Sequence, residues 1–244
     1  MIDNHVTALF INCSLKKTNK TSHTQRLINR CANILIKEGV EVESLFAAEY
    51  QIAFGMEKDL AKDGKTKDEW PVIQKKIMAA DIFVLGTPIW LGTMSSIATL
   101  VTERMYAYSS DTNQKGQFLY YGKTAGVVVT GNEDGAKAVA ASLLYKFAHI
   151  GYVIPPQPDT AWLGEAGPGP SYGDTEFEGK PLKSKVPTGY DNDYTNRTAT
   201  SLAWNLMHMA KILKANQGFP TAGNLPNKWQ EVTNAKEQDP ESLD

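Results

Sequence analysis

"DIFVLGTPIWLGTMSS", residues 81–96, is the stretch that decides the fold. Ile82, Phe83, Val84 and Leu85 are apolar without alternation, which predicts a strand buried on both faces and ending at Gly86. Helical spacing begins at Ser95 and runs to Ser109. Between them, Thr87 to Met94 carry Pro88, Ile89, Trp90 and Leu91 where a turn normally places polar residues. A buried strand feeding a helix is half of a β-α-β unit, and the apolar surface of its connection requires a partner.

Working outward, the same alternation covers most of the chain. Strands are expected at 7–12, 40–45, 82–86 and 124–130, with a short fifth around 160–163. The second alternates in polarity and suits a sheet edge. Helices are expected at 24–38, 69–80, 95–109, 134–150 and 196–216, and 50–68 reads as loop with at most one helical turn. Buried strands linked by helices predict an α/β domain with a doubly wound parallel sheet covered on both faces. The expected domain spans 1–218, with a proline- and glycine-rich insertion over about 155–194 before the last helix and an irregular tail over 219–244.

The 244 residues are 42% hydrophobic and 21% charged with a net charge of -2, so nothing argues for nucleic acid or an anionic membrane surface as partner. No apolar run approaches the roughly 18 residues that span a bilayer. Met1 to His5 lead straight into Ala8-Leu9-Phe10-Ile11 without a basic segment, and the expected location is the cytoplasm. Cys13 and Cys31 are too few for a disulfide framework or an iron–sulfur site. His5, His23, His149 and His208 lack ligand spacing, so no metal site built from the protein is expected.

Ligands of an open parallel sheet sit beyond the carboxyl ends of its strands, where the strand order reverses. Three loops lie there. The first, "CSLKKTNKTSHT" (13–24), concentrates Ser14, Thr18, Thr21, Ser22 and Thr24 with Lys16, Lys17, Lys20 and His23. Short hydroxyls, backbone N–H groups at a helix start and cations suit a phosphate; Ser22 or Thr24 also serves simply as N-cap. The loop has no G-x-G-x-x-G and no G-K-[ST]. Asn19 stands where a Cys-x5-Arg phosphatase loop needs arginine, and Asn12 and Gly86-Thr87 stand where a phospho-acceptor domain needs acids. It therefore reads as a holder of a phosphate monoester without machinery to cleave it.

In the second loop, Ile89, Trp90 and Leu91 form apolar walls for a planar ring, Pro88 fixes the turn and Gly92 admits close backbone approach. Packing of Trp90 in a subunit interface is the alternative. In the third, "TGNEDGA" (130–136), Gly131 and Gly135 surround Asn132, Glu133 and Asp134, as a ring-edge contact or as a plain turn capped by Asp134. A phosphate loop, an aromatic-walled loop and a glycine loop together describe a mononucleotide with a planar head, which points to FMN.

These three ordered stretches resemble the flavodoxin-like NAD(P)H-dependent FMN oxidoreductases, in which T-P-x-x-x-G-x-M/x-S follows the third strand. The likeness continues through "IPPQPDTAWLGEAGPGPSY" and the last helix. It implies a flavodoxin-like five-stranded sheet in the order 2-1-3-4-5 and noncovalent FMN. Ser14, Ser22, His23 and Thr24, with Lys16 beside them, are then expected at the phosphate. Thr87, Pro88, Ile89, Trp90, Leu91, Gly92 and Thr93 are expected on one side of the ring, and Thr130, Gly131, Asn132, Glu133, Asp134 and Gly135 on the other. Relatives commonly form dimers or tetramers, so a homodimer or homotetramer is expected. Many carry a cysteine cluster where 50–70 here has none.

The cofactor supplies the chemistry, so no catalytic side chain is named. The expected activity is hydride uptake from NADH or NADPH and reduction of a quinone or similar small acceptor. Trp90 and the segment from Trp162 to Tyr172 are candidates to line the open face of the ring, with core or interface packing as the alternative. Two other readings are an electron carrier that binds FMN without reductase activity and a flavin-free structural protein. Carriers tend to be strongly acidic so as to dock by charge, unlike this chain.

Overall fold

The computed structural model describes residues 5–16, 18–132, 134–167 and 169–228. Five strands run parallel: β1 (Thr7–Asn12), β2 (Glu41–Phe46), β3 (Ile82–Trp90), β5 (Thr124–Gly131) and β6 (Asp159–Leu163). A short β4 (Thr93–Met94) folds back antiparallel on β3, and the sheet order is β2-β1-β3-β5-β6. Among the five parallel strands this is the expected 2-1-3-4-5 order. The helices are α1 (His23–Lys37), α2 (Trp70–Ala79), α3 (Ser96–Tyr106), α4 (Ala136–His149) and α5 (Asp193–Ala215).

The two-residue period of a strand divides β1 between two cores. Leu9 and Ile11 face α2, α3 and α4 through Trp70, Ile73, Val101, Met105, Leu143 and Phe147. Ala8 and Phe10 face α1 and α5 through Leu27, Leu35, Leu202 and Leu206. The sheet is therefore covered on both faces, and β2, at the edge, keeps Glu41, Glu43 and Ser44 exposed. Gly86 lets α1 seat directly on β3, because a Cβ there would lie 2.5 Å from Ile28 Cδ1.

Three local outcomes differ from the sequence expectation. The third strand runs four residues beyond Gly86, since Thr87 and Pro88 still pair with Val129 and Thr130 of β5. The supposed loop is thus strand plus a tight hairpin. The insertion holds its own hairpin, β7 (Glu176–Phe177) and β8 (Lys180–Pro181), and the α5 helix starts at Asp193, capped by Asn192, which accepts from Thr195 N. Residues 219–228 of the expected tail pack back on the loop before β5: Gln117 Nε2 donates to the carbonyls of Phe219 (3.2 Å) and Pro220 (2.9 Å). Residues 229–244 lie outside the described residues.

The long 50–69 connection is organised by charge. Arg104 of α3 and Asp68 are both 0% exposed and pair at 2.7 Å. The guanidinium also donates to Ala53 O (2.6 Å) and Glu57 O (3.0 Å), while the carboxylate accepts from the N–H groups of Ala53, Leu60 and Trp70. Burial alone would raise the Asp68 pKa; Arg104 and the three N–H donors outweigh it, and the result lies below the usual 3.8. Asp68→Ala leaves the guanidinium buried and uncompensated, and is expected to cost about 3–5 kcal/mol in urea unfolding. Because the folded pKa is depressed, this contribution is present above pH 4 or so and fades as acid protonates the carboxylate. A loss under about 1 kcal/mol, or one unchanged at acid pH, would contradict this account.

Candidate active site

The site is built from the end of β1 outward. Cys13 N donates to Gly86 O at 2.8 Å, carrying the β1–β3 pairing one residue past the strand. Asn12 is fully buried, and its Nδ2 donates to Asn19 Oδ1 (2.8 Å), Ser22 Oγ (3.0 Å) and Gln25 Oε1 (3.1 Å). Its Oδ1 accepts from Ser14 N at 3.0 Å. The first loop is therefore wound around one amide. Ser22 is the N-cap of α1, accepting from Gln25 N, and its oxygen is committed to the fold and not to the cavity. Ser14 is different: its Oγ is buried without a hydrogen-bond partner among the described residues.

Ser95 ties the second loop to the first. Its Oγ donates to Cys13 O at 2.6 Å and caps α3 by accepting from Ala98 N. Ser95 N donates to Thr87 Oγ1 at 3.1 Å, so Thr87 is a buried strut. Trp90 and Thr93 pair across a two-residue turn in which Leu91 (φ 51°) and Gly92 (φ 74°) are both left-handed. Such a turn matches the twist of its strands. It puts Leu91 in solvent, 93% exposed, while Trp90 is 49% exposed.

The third loop closes on both. Thr130 Oγ1 meets Thr24 Oγ1 at 2.7 Å. Gly135, at φ 112°, lies where a Cβ would be 3.0 Å from Gly92 O. Asp134 is exposed and accepts from Gly135 N, and Gly135 itself occupies the N-cap position of α4. Glu133 lies outside the described residues.

The insertion is a strap fixed at two points. Arg26 pairs with Asp174 at 2.8 Å and donates to Tyr172 O. Asn132 donates to Pro170 O and accepts from Ser171 Oγ at 2.9 Å. His23 Nδ1 lies 3.1 Å from Tyr172 O, which only a protonated Nδ1 can satisfy. Burial lowers the His23 pKa, with Arg26 and Lys16 adding to that; Asp174 and the Tyr172 carbonyl pull upward without reversing it. Burial thus favours the neutral imidazole.

These elements enclose a cavity of about 680 Å³ at the carboxyl ends of the strands. Of the sequence-predicted residues, Ser14, Lys16, His23, Thr24, Pro88, Ile89, Trp90, Thr130, Gly131 and Asn132 line it. Ser22, Thr87, Leu91, Gly92, Thr93, Asp134 and Gly135 do not; they cap, brace or turn the chain around it. Strand β6 adds Trp162 and the strap adds Gly167, Gly169, Ser171 and Tyr172, all in the segment singled out from the sequence. Leu15 and Phe177 also line it and were missed, as was the supporting role of Asn12. A buried asparagine at a strand end gives no local signal, and Glu178-Gly179 after Phe177 is a weak hairpin signature.

The cavity is polar at one end, with Ser14, Lys16, His23 and Thr24, and apolar along Pro88, Ile89, Trp90 and Trp162. An unsatisfied buried hydroxyl beside a lysine fits a phosphate ester, and a slot of this size fits a flat heteroaromatic ring. The residues present therefore fit FMN. Asn12→Ala removes the amide that holds the phosphate end in shape, and is expected to cost about 1–3 kcal/mol in urea unfolding. An unchanged midpoint would show that the loop holds itself.

The family described as NADPH-dependent FMN reductase matches residues 6–165. The 8-demethyl-8-aminoriboflavin-5′-phosphate synthase of Streptomyces davaonensis is 33% identical over 212 residues, covering 85% of this chain and 78% of that protein. The solved structure of RosB with the bound intermediate 8-demethyl-8-formylriboflavin-5′-phosphate has a TM-score of 0.78 at 30% identity, over 96% of this chain and 88% of that one. A protein of Mycobacterium bovis named divalent metal cation transporter MntH is 46% identical over 221 residues, 90% of this chain but 31% of that protein. The chain thus spans about a third of the length of that relative. Among the described residues no helix is long and apolar enough to cross a membrane, and no cluster of side chains is arranged for a metal ion. The match over residues 6–165, with the likeness to this synthase and to the RosB structure, places the chain in the NADPH-dependent FMN reductase family of flavin-dependent oxidoreductases, with a flavodoxin-like fold.

Proposed function

We propose that the chain holds FMN in this cavity, takes hydride from NADH or NADPH, and reduces a quinone or similar small acceptor. The net reaction is NAD(P)H, a proton and quinone giving NAD(P)+ and hydroquinone. The observation that carries the reading is the unpartnered Ser14 hydroxyl at the polar end of a slot with apolar walls. Ser14, Lys16, His23 and Thr24 bind the phosphate, and Pro88, Ile89 and Trp90 hold the ring. The flavin supplies two-electron transfer when bound; the protein orients it and keeps bulk water from the strap side. A homodimer or homotetramer with a cytoplasmic location remains part of this reading. A strap over the ring suits small substrates better than docking of a protein partner, which disfavours a pure carrier.

A second reading follows from the synthase named for 8-demethyl-8-aminoriboflavin-5′-phosphate and from the RosB structure with 8-demethyl-8-formylriboflavin-5′-phosphate bound: here the flavin phosphate would itself be the substrate. Anaerobic mixing separates the two. Bleaching of protein-bound FMN by NADH or NADPH much faster than of free FMN, with reoxidation by a quinone and recovery of unmodified FMN, is expected. Absence of bleaching overturns the reductase reading, and recovery of a chemically altered flavin supports the second.

Ser14→Ala removes one charge-assisted hydrogen bond and should weaken FMN binding by about 1.5–3 kcal/mol. An unchanged dissociation constant would put the phosphate elsewhere. His23 adds a pH dependence. Burial favours its neutral imidazole, and a phosphate beside it raises the pKa, so binding takes up a proton. FMN affinity should fall from pH 6 to 8 more steeply in the wild type than in His23→Gln, read by flavin fluorescence titration. Equal slopes would remove His23 from the phosphate site.

A further inference from the structure

His23 stands between the polar end of the cavity and the strap. It opens α1 and lines the cavity with Ser14, Lys16 and Thr24. Its Nδ1 is engaged by the strap, 3.1 Å from Tyr172 O and 3.5 Å from Asp174 Oδ1. Arg26, one turn further along the same face of α1, brings Nη1 to the same two oxygens at 3.3 and 2.8 Å. Gly173 lies between them at φ 83°, where a Cβ would be 2.4 Å from Arg26 Cδ.

Asp174 carries these contacts into the rest of the strap. Its Oδ2 accepts from Ser171 N at 2.8 Å. Its backbone carbonyl accepts from Thr188 N (2.9 Å) and Thr188 Oγ1 (3.1 Å). Gly173 N donates to Thr188 O (2.8 Å) and Leu182 N to Thr175 O (2.9 Å), so residues 171–190 form one hydrogen-bonded ribbon. Ser171, Tyr172 and Phe177 of that ribbon line the cavity. The strap's wall therefore hangs on an imidazole at the phosphate end.

A neutral imidazole has one N–H. Given to Tyr172 O, it leaves a lone pair at Nε2, which repels a phosphate oxygen. Only the imidazolium satisfies both sides. Burial favours the neutral ring; Arg26 and Lys16 add to that, and Asp174 and the Tyr172 carbonyl oppose it without prevailing. A phosphate dianion tips this balance towards the cation. The bond to Tyr172 O then becomes charge-assisted, and Asp174 faces a full positive charge.

We propose that His23 is a positioning residue that couples the flavin phosphate to the strap: the phosphate fixes a second proton on the imidazole, and the imidazolium draws Tyr172 O and Asp174 onto α1. The strap tightens on flavin phosphates and not on dephosphorylated flavins, although both carry the same ring. Selection for the phosphate is then exercised twice, in affinity and in the wall over the ring. The coupling rests on the flavin reading.

The test is backbone hydrogen exchange over residues 171–190, read by mass spectrometry at pH 7 with FMN or riboflavin at occupancies matched by flavin fluorescence. In the wild type, FMN should slow exchange of this segment about tenfold relative to riboflavin. Asparagine places a side-chain N–H near the position of Nδ1 and glutamine near that of Nε2, both without charge. His23→Asn therefore keeps the strap contact and His23→Gln the phosphate contact. In each variant the difference between FMN and riboflavin should shrink to about twofold or less. If His23 merely packs the strap in place, His23→Asn retains the full difference, which overturns the coupling. Equal protection by FMN and riboflavin in the wild type also overturns it, and leaves the flavin reading standing. A wild-type protein that binds neither flavin overturns both.

Discussion

The site exists because β1 lies between β2 and β3. From β1 the chain crosses outward over one face to β2, then returns past β1 over the other face to β3. The connections leaving β1 and β3 therefore diverge, and a crevice opens beyond their carboxyl ends. Parallel pairing also forces every strand to end on the same side, so the third loop, after β5, joins the same crevice. Given that topology, the rest of the structure keeps three loops of unlike composition in register over the opening.

It does so with buried side-chain hydrogen bonds in place of secondary structure. Asn12 holds the first loop, Ser95 joins it to the second, and the Thr24–Thr130 contact joins it to the third. Each group is buried, where an unmet hydrogen bond is costly, so these contacts resist alternatives as well as favour one shape. Ser14 Oγ, at the polar end of the cavity wall, and the Tyr172 hydroxyl are buried without a partner among the described residues, and such an oxygen beside Lys16 marks where a ligand atom belongs. The strap then adds the remaining wall, held by Arg26–Asp174 and Asn132–Ser171.

The parallel sheet and the three loops were legible in the chain because buried strands, helix caps and hydroxyl clusters are local patterns, whereas the strand order followed only from the family resemblance. Ser22 shows the limit of such patterns. A serine before a helix suits a phosphate and an N-cap equally, and only the position of Asn12 commits it to the cap. The continuation of β3 through Pro88 was hidden for a similar reason. Proline at that point breaks the usual expectation for a central strand, yet the pairing with β5 runs on through it to Thr130. The strap's ion pair joins residues 148 positions apart, and no short-range periodicity carries that information. Phe177 belongs to the cavity for the same nonlocal reason.

The central claim is that the first loop grips a phosphate while the other walls hold a flavin ring. Comparative titration with FMN and riboflavin, which share the ring and differ in the phosphate, tests it most directly. Two or more charge-assisted hydrogen bonds to the phosphate predict FMN binding at least about 100-fold tighter than riboflavin, with the gap narrowing in Ser14→Ala. Equal affinities for the two flavins would contradict the account.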